Sequence, residues 1–322
     1  LAPRAMTELG ENLRRAFGGG RPVEWTVEMA PASVTPQRLA ALKDLGVTRI
    51  SLGVQSFQLA LLDALGRRHS REQVLRAFAL VRVAGFASVN FDMIFSVPGQ
   101  DLAAWRSDLD EAVRLAPDHL STYCLTFEED TALYVKLSQG RVHRDVEREA
   151  DFYLEAWERL EAAGYAQYEI SNFARPGHPC RHNLNTWRMQ DWVGLGPSAA
   201  SQQHDRRGSN VADIGRWLAD VAAGRRANTE GVRLTPRVLL EDSLVFGLRM
   251  NEGVDLPALR RRFPGANWET LHELAGRLTE DGLATLNSAG QFQLTLRGRL
   301  LADAIGGQFM ETLAERAAPV RA

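Results

Sequence analysis

Apolar and polar positions alternate along three stretches of the chain with the period of a β-strand. Ile50, Leu52 and Val54 alternate with Ser51, Gly53 and Gln55, and Val89, Phe91 and Met93 alternate with Asn90 and Asp92. An earlier run, Trp25-Thr26-Val27-Glu28, ends in a carboxylate. A period of two places one set on each face of a sheet, so one face is greasy and the other small or polar. Strands of a parallel sheet covered on both sides are apolar on both faces, because burying an unpaired amide or carboxylate is costly. Polar side chains at these strand ends therefore predict a bound ligand.

Helical patterns fall between the strands. Thr35-Pro36 opens a helix with proline in its first turn, Leu39 and Leu42 supply an apolar stripe, and Gly46 suits a left-handed cap. Ser70 and Gln73 form a capping box ahead of Val74, Phe78 and Val81, and Gly85 ends that helix before a strand over Ser88–Ile94. A helix over Leu102–Leu115 stops short of Pro117 and leads into a strand over Leu120–Thr126. A long amphipathic helix through Phe152 and Trp157 precedes one over Gln167–Ile170. This βα alternation implies a parallel sheet with right-handed crossovers, either open and doubly wound or curled into a full or partial barrel. Both architectures bind ligands at strand carboxyl ends, where Glu28, Gln55 and Asp92 lie.

From about Ser201 to Thr235 the sequence turns polar and rich in Gly, Arg and Asn, and reads as a connector with one helical patch at 214–221. Helices over Pro236–Arg249, Leu256–Phe263 and Trp268–Asp281, then a hairpin turning at Ser288-Ala289-Gly290, resemble a winged helix. Arginines in this part are matched by acids, so Arg260-Arg261-Arg262 reads as a solvated helix face, and a lid or docking role is favoured over DNA binding. The whole chain of 322 residues carries 38 basic and 40 acidic side chains, which leaves no electrostatic footprint for nucleic acid. No apolar run approaches the roughly 20 residues of a membrane span. With only two cysteines, Cys124 and Cys180, a disulfide framework is excluded and a reducing, cytoplasmic setting is expected. The sequence opens on Leu1 rather than an initiator methionine, and the expectation from these residues is no secretory leader.

Three constellations could carry chemistry. Glu28, Gln55 and Asp92, with Arg67 shortly after the second strand, make a cradle suited to hydroxyls, an amine and a carboxylate; Arg67 can grip a carboxylate bidentately. For any one residue a rim ion pair or a helix cap is the commoner explanation, but several on adjacent strand ends favour a ligand. His178-Pro179-Cys180-Arg181-His182 gathers soft-metal or heme-iron ligands beside Trp187, which could stack on a macrocycle. A lone loop histidine more often hydrogen-bonds a backbone carbonyl than a metal, and with three such ligands gathered here residue chemistry leaves the two readings level. Gly18-Gly19-Gly20 follows a helix and precedes a strand, the wrong order for an anion loop, and reads as a connector. Gly194 to Ser201 is a tight turn or a place of close backbone approach to a ligand.

Val27 to Pro31, Ser51 to Phe57, Ala64 to Arg67, Phe91 to Gln100, Tyr168 to Ser171, Cys180 to Trp187 and Gly194 to Ser201, in this order and spacing, resemble the radical S-adenosylmethionine proteins related to oxygen-independent coproporphyrinogen III oxidase, in their heme chaperone branch. The resemblance implies an α/β fold: a partial (β/α) barrel over 1–200 that includes the heme motif, a connector over 201–234, and a winged-helix-like domain over 235–322. It implies that Glu28, Gln55, Arg67 and Asp92 contact S-adenosylmethionine. It also implies that heme, held near His182, Cys180 and Trp187, is handed to heme-receiving proteins. Thr186 stands where the family motif has tyrosine, and Ser96 where it has glycine. The family's [4Fe-4S] cysteine loop, which with the cofactor yields a deoxyadenosyl radical in the oxidase branch, has no counterpart in these residues. The expectation is a chain lacking the first barrel strands and the cluster-binding segment, and not catalytic as given. The alternative is a coproporphyrinogen III oxidase, competent when full length. Oligomeric state is not legible.

Overall fold

The computed structural model describes residues 1–322 apart from 130, 141, 143–145, 226–227, 229–230 and 315–322. The chain divides into two compact units, 1–179 and 180–322.

The first unit is built on a six-stranded sheet. In chain order its elements are α1 (Pro3–Ala16), β1 (Thr26–Met29), α2 (Pro36–Leu45), β2 (Arg49–Gln55), α3 (Leu59–Ala64), α4 (Arg71–Val83), β3 (Ser88–Phe95), α5 (Leu102–Leu115), β4 (His119–Cys124), α6 (Ala132–Ser138), α7 (Val146–Ala162), β5 (Ala166–Glu169) and β6 (Asn172–Ala174). The sheet order is β1-β2-β3-β4-β6-β5, and β1 to β4 are parallel neighbours. Local signals act as expected. Thr35 accepts from the Arg38 N–H and Gly46 ends α2 at φ +90°, while Ser70 and Gln73 form the reciprocal capping box of α4.

The helical layer meets the apolar set of strand residues. Phe91 packs edge-on against Phe78 of α4 (5.0 Å), and Phe95 lies against Trp105 of α5 (5.4 Å) and Phe152 of α7 (6.0 Å). Trp105 is fully buried and its indole N–H donates to the Phe152 carbonyl at 3.0 Å, so the one polar group of this ring is paired. The opposite face is polar, as in a curled sheet whose interior is reserved for a ligand.

The far edge departs from simple alternation. β6 is antiparallel to both β4 and β5, a three-residue return strand inserted between two strands that run the same way. Three buried residues, Asn172, Phe173 and Ala174, are too few for periodicity to reveal.

The second unit comprises α8 (Arg181–Trp187), β7 (Ala200–Gln203), β8 (Arg206–Ser209), α9 (Ile214–Ala222), β9 (Val232–Arg233), α10 (Pro236–Leu248), β10 (Val254–Asp255), α11 (Leu256–Arg262), α12 (Trp268–Glu280), β11 (Ala284–Leu286), β12 (Gln291–Leu294), α13 (Leu296–Leu300) and α14 (Ala302–Ala314). Two expectations are corrected here. The heme motif belongs to this unit rather than to the barrel, since the division falls at Pro179/Cys180. The stretch 201–234, read as a connector, instead forms most of an antiparallel sheet, β7-β8-β9, with α9 between its second and third strands.

Helices α10 to α12 and the β11–β12 hairpin match the winged-helix reading, and β10 adds a third strand on the other side of β12. Helix α14, absent from that reading, places Phe309 against Phe292 (5.9 Å) and completes the core. Residues 315–322 of the expected 235–322 domain lie outside the described residues. No helix among the described residues is long and apolar enough to cross a membrane.

Candidate functional site

At the carboxyl ends of β1 to β3 the polar face of the sheet opens into a cavity of about 690 Å³, lined by Glu28, Gln55, Arg67, His69, Asp92 and Tyr123 among others. All four residues expected in the cradle converge on it. Arg67 arrives from the turn after α3, where Gly66 takes φ +67°. Glu28 and Arg67 make no ion pair with each other or with any other described residue, so both charges remain available to a ligand. The volume lies in the range of small-molecule sites. The donor set, two carboxylates, an amide and a guanidinium, fits the hydroxyls, ammonium and carboxylate of S-adenosylmethionine.

Gln55 is delivered by strained backbone. It has φ +66°, the Ser56 N–H donates to the Val54 carbonyl at 2.8 Å, and the pairing of β2 with β3 shifts register between Gly53 and Gln55. The chain thus makes a three-residue turn of the rare positive-φ kind, aiming the amide into the cavity. Asp108 of α5, 1% exposed, braces the far side of this turn. It accepts from the Ser56 hydroxyl at 2.6 Å and from the Phe57 N–H at 3.0 Å, and burial pushes its carboxyl above the ordinary range. Gly53 leaves room, since a Cβ there would come within 3.0 Å of the Gln55 amide nitrogen. Ser96, at the end of β3, has φ +60°, the left-handed conformation that a glycine adopts freely. The serine therefore keeps the glycine geometry of this turn.

Below the cavity the polar face continues in two register rows. Glu28, Ser51, Asn90 and His119 align across β1 to β4, and Gly53, Asp92, Ser121 and Asn172 form the next row. Asp92 accepts from the Ser51 hydroxyl (2.7 Å) and the Asn90 amide (2.8 Å). Burial pushes its carboxyl up, although these hydrogen bonds and the Arg49 charge oppose the shift. His119 is wholly buried between Asn90 (2.6 Å) and the Tyr168 hydroxyl (2.8 Å). Its imidazole is held well below the usual histidine range, first by burial and then by the charges of Arg49 and His178. The Tyr123 hydroxyl is pushed up by burial and by nearby Asp92 and Glu169. His119 lies one residue ahead of the strand expected from Leu120, and the polar alternation His119-Ser121-Tyr123 beside Asn90 and Asp92 is the signal that marks it.

The residues of the heme motif share one short helix but are presented differently. His182 is exposed on α8, whereas Trp187 is half-buried against Phe246 (5.7 Å) with the Arg249 guanidinium over its ring (5.2 Å). Cys180, at the N-cap of α8, is only 3% exposed, so the expectation that its thiol faces a heme is not met by this arrangement. Thr186, in the position of the family tyrosine, donates its hydroxyl back to the His182 carbonyl at 3.0 Å. The glycine-rich turn at 194–201 is tight against its own chain, as a Cβ on Gly194 would meet the Ala200 carbonyl at 2.3 Å. Gly18 and Gly19 close the end of α1 on the Arg15 and Arg14 carbonyls, in keeping with a connector. Among the described residues no group of three or more His, Cys, Asp or Glu side chains could hold a metal ion, so these residues do not by themselves fit a [4Fe-4S] cluster.

A parallel sheet with a cavity of small-molecule size at its strand ends fits the radical S-adenosylmethionine class, and the comparisons with known proteins show that class. Residues 3–112 match the profile described as Radical SAM superfamily, and residues 234–301 match the HemN C-terminal domain. The chain is 31% identical over 291 residues to a Bacillus subtilis protein named heme chaperone HemW, covering 90% of this chain and 76% of that protein. It is 31% identical over 241 residues to the Lactococcus lactis protein of the same name, covering 74% of this chain and 63% of that one. The chain thus spans between about three-fifths and three-quarters of the length of these relatives. The solved structure of Escherichia coli coproporphyrinogen III oxidase (HemN), 22% identical, superposes with a TM-score of 0.81 over 96% of this chain and 74% of that one. The chain belongs to the HemW family of radical S-adenosylmethionine proteins with a HemN-type C-terminal domain.

Proposed function

We propose that this chain acts as a heme chaperone, binding heme near His182 and passing it to acceptor proteins while S-adenosylmethionine occupies the cavity above Asp92. The observation that carries the heme assignment is that His182, an exposed residue of α8, shares one short helix with the braced Trp187 ring. Imidazole is the commonest axial ligand to heme iron, and an indole face offers apolar contact to the macrocycle. The names of the relatives support the same reading.

Arg67 would hold the cofactor carboxylate in a two-pronged grip, Glu28 would face its ammonium, and Gln55 and Asp92 would bind the ribose hydroxyls. S-adenosylmethionine supplies radical chemistry only alongside a reducing iron–sulfur cluster. The residues present here bind and orient it. The shared fold with the coproporphyrinogen oxidase does not extend that enzyme's activity to this chain, and the chaperone reading is preferred.

The test is a heme titration followed by Soret absorbance. His182→Ala should lose the histidine-ligated spectrum and weaken binding at least about tenfold. Unchanged affinity and spectrum would remove His182 as the ligand.

A further inference from the structure

The hydrogen bonds beneath the cradle run in one direction. Asn90 makes four contacts: its amide nitrogen reaches Asp92 Oδ1 (2.8 Å) and Ser51 Oγ (2.7 Å), and its amide oxygen lies near His119 Nδ1 (2.6 Å) and Ser121 Oγ (3.3 Å). The oxygen can only accept, so His119 Nδ1 must carry the proton. A neutral imidazole then has an acceptor at Nε2, and it faces the Tyr168 hydroxyl at 2.8 Å. The order is fixed: Tyr168 donates to His119, His119 to Asn90, and Asn90 and Ser51 to the two oxygens of Asp92. Turning the Asn90 amide over would set its oxygen against the Asp92 carboxylate. Asp92 itself disfavours that orientation, and the donor on His119 adds to the preference by pairing with the amide oxygen.

We propose that His119 is a positioning residue of the cradle, acting through the Asn90 amide to hold both Asp92 oxygens as acceptors with their remaining lone pairs directed at a ligand's hydroxyl groups. This rests on the reading that Asp92 binds the nucleoside. The network spans β2, β3, β4 and β5, so a group some distance from the ligand sets the direction of the one that touches it.

S-adenosylhomocysteine, a nucleoside probe that needs no cluster, is titrated calorimetrically into the full chain. His119→Leu removes the donor, whereas His119→Asn keeps an N–H at the position of Nδ1. The leucine variant should bind about tenfold more weakly and the asparagine variant within about threefold of the parent. Equal affinities for the two variants would overturn the proposal, since the effect would then not follow the N–H. If Asp92→Ala binds as tightly as the parent, the nucleoside reading falls and the proposal with it; if Asp92→Ala is weak while His119→Leu is not, the role of His119 alone fails. A second measurement needs no variant. Nitrogen-15 spectra of the parent should show His119 protonated at Nδ1 and bare at Nε2, and the opposite tautomer would refute the chain of donors.

Discussion

Replacing Asp108 by alanine should loosen the Gln55 turn from behind without touching the cavity. The carboxylate is the acceptor for two groups, the hydroxyl of Ser56, itself fully buried, and the Phe57 N–H. Alanine leaves both unsatisfied, at about 1–3 kcal/mol each. The same burial that raises the Asp108 carboxyl makes its ionised form costly, so part of that loss is offset when the charge is removed. The net expectation is about 2–3 kcal/mol of lost stability. Asparagine, which keeps one acceptor and opposes the second donor with an NH₂, should lose less. Urea unfolding followed by tryptophan fluorescence and far-ultraviolet circular dichroism reads the stability, and S-adenosylhomocysteine affinity reads the turn. A ΔΔG within about 0.5 kcal/mol, the range of an indifferent surface change, together with unaltered affinity would refute the claim that Asp108 braces the turn.

Ser96→Gly should raise stability by about 0.5–1 kcal/mol, because glycine takes φ +60° without the Cβ penalty but loses more chain entropy on folding; a lower melting temperature would count against this account of the turn. Gly53→Ala should weaken nucleoside binding with little change in melting temperature, since the new methyl displaces the Gln55 amide rather than any core side chain. The lowered imidazole of His119 sets a pH dependence. The unfolded chain takes up its proton near the ordinary value of 6.5 while the folded chain resists, so this contribution is fully present above about pH 6.5 and is lost as pH falls below it. Asp92 and Asp108 work the other way, their raised carboxyls lowering stability as pH rises from the ordinary 3.8 toward their folded values. Urea midpoints between pH 5 and 7 should show a slope that His119→Asn flattens, and an unchanged slope would exclude the histidine as its source.

The strand ends were legible because polar residues at alternate positions contradict a fully covered sheet, and the helix limits because Thr35, Ser70, Gly46 and Gly85 act through local geometry alone. The apolar set could not distinguish an open sheet from a curled one; that depends on which side the helices cover, a tertiary property. β6 was hidden by its length, and the sheet at 200–233 by its composition, since the strands Ala200–Gln203 and Arg206–Ser209 are polar and only partly buried and so carry almost no hydrophobic alternation. The neighbours of Cys180 suggest a ligand, but burial, which a short motif does not encode, withdraws this residue from solvent. The order of donors beneath Asp92 joins residues up to 49 positions apart and emerges only from strand register.

The seam at Pro179/Cys180 puts His182, Trp187 and the HemN-type domain in one compact unit and the cavity lining, which all lies before residue 124, in the other. Recombination at that seam would transmit or discard the heme motif and the C-terminal domain together, leaving the nucleoside cradle intact on the other side. Descendants could therefore gain or lose one capacity while drifting independently in the other, and family trees drawn from the two halves need not share a branching order.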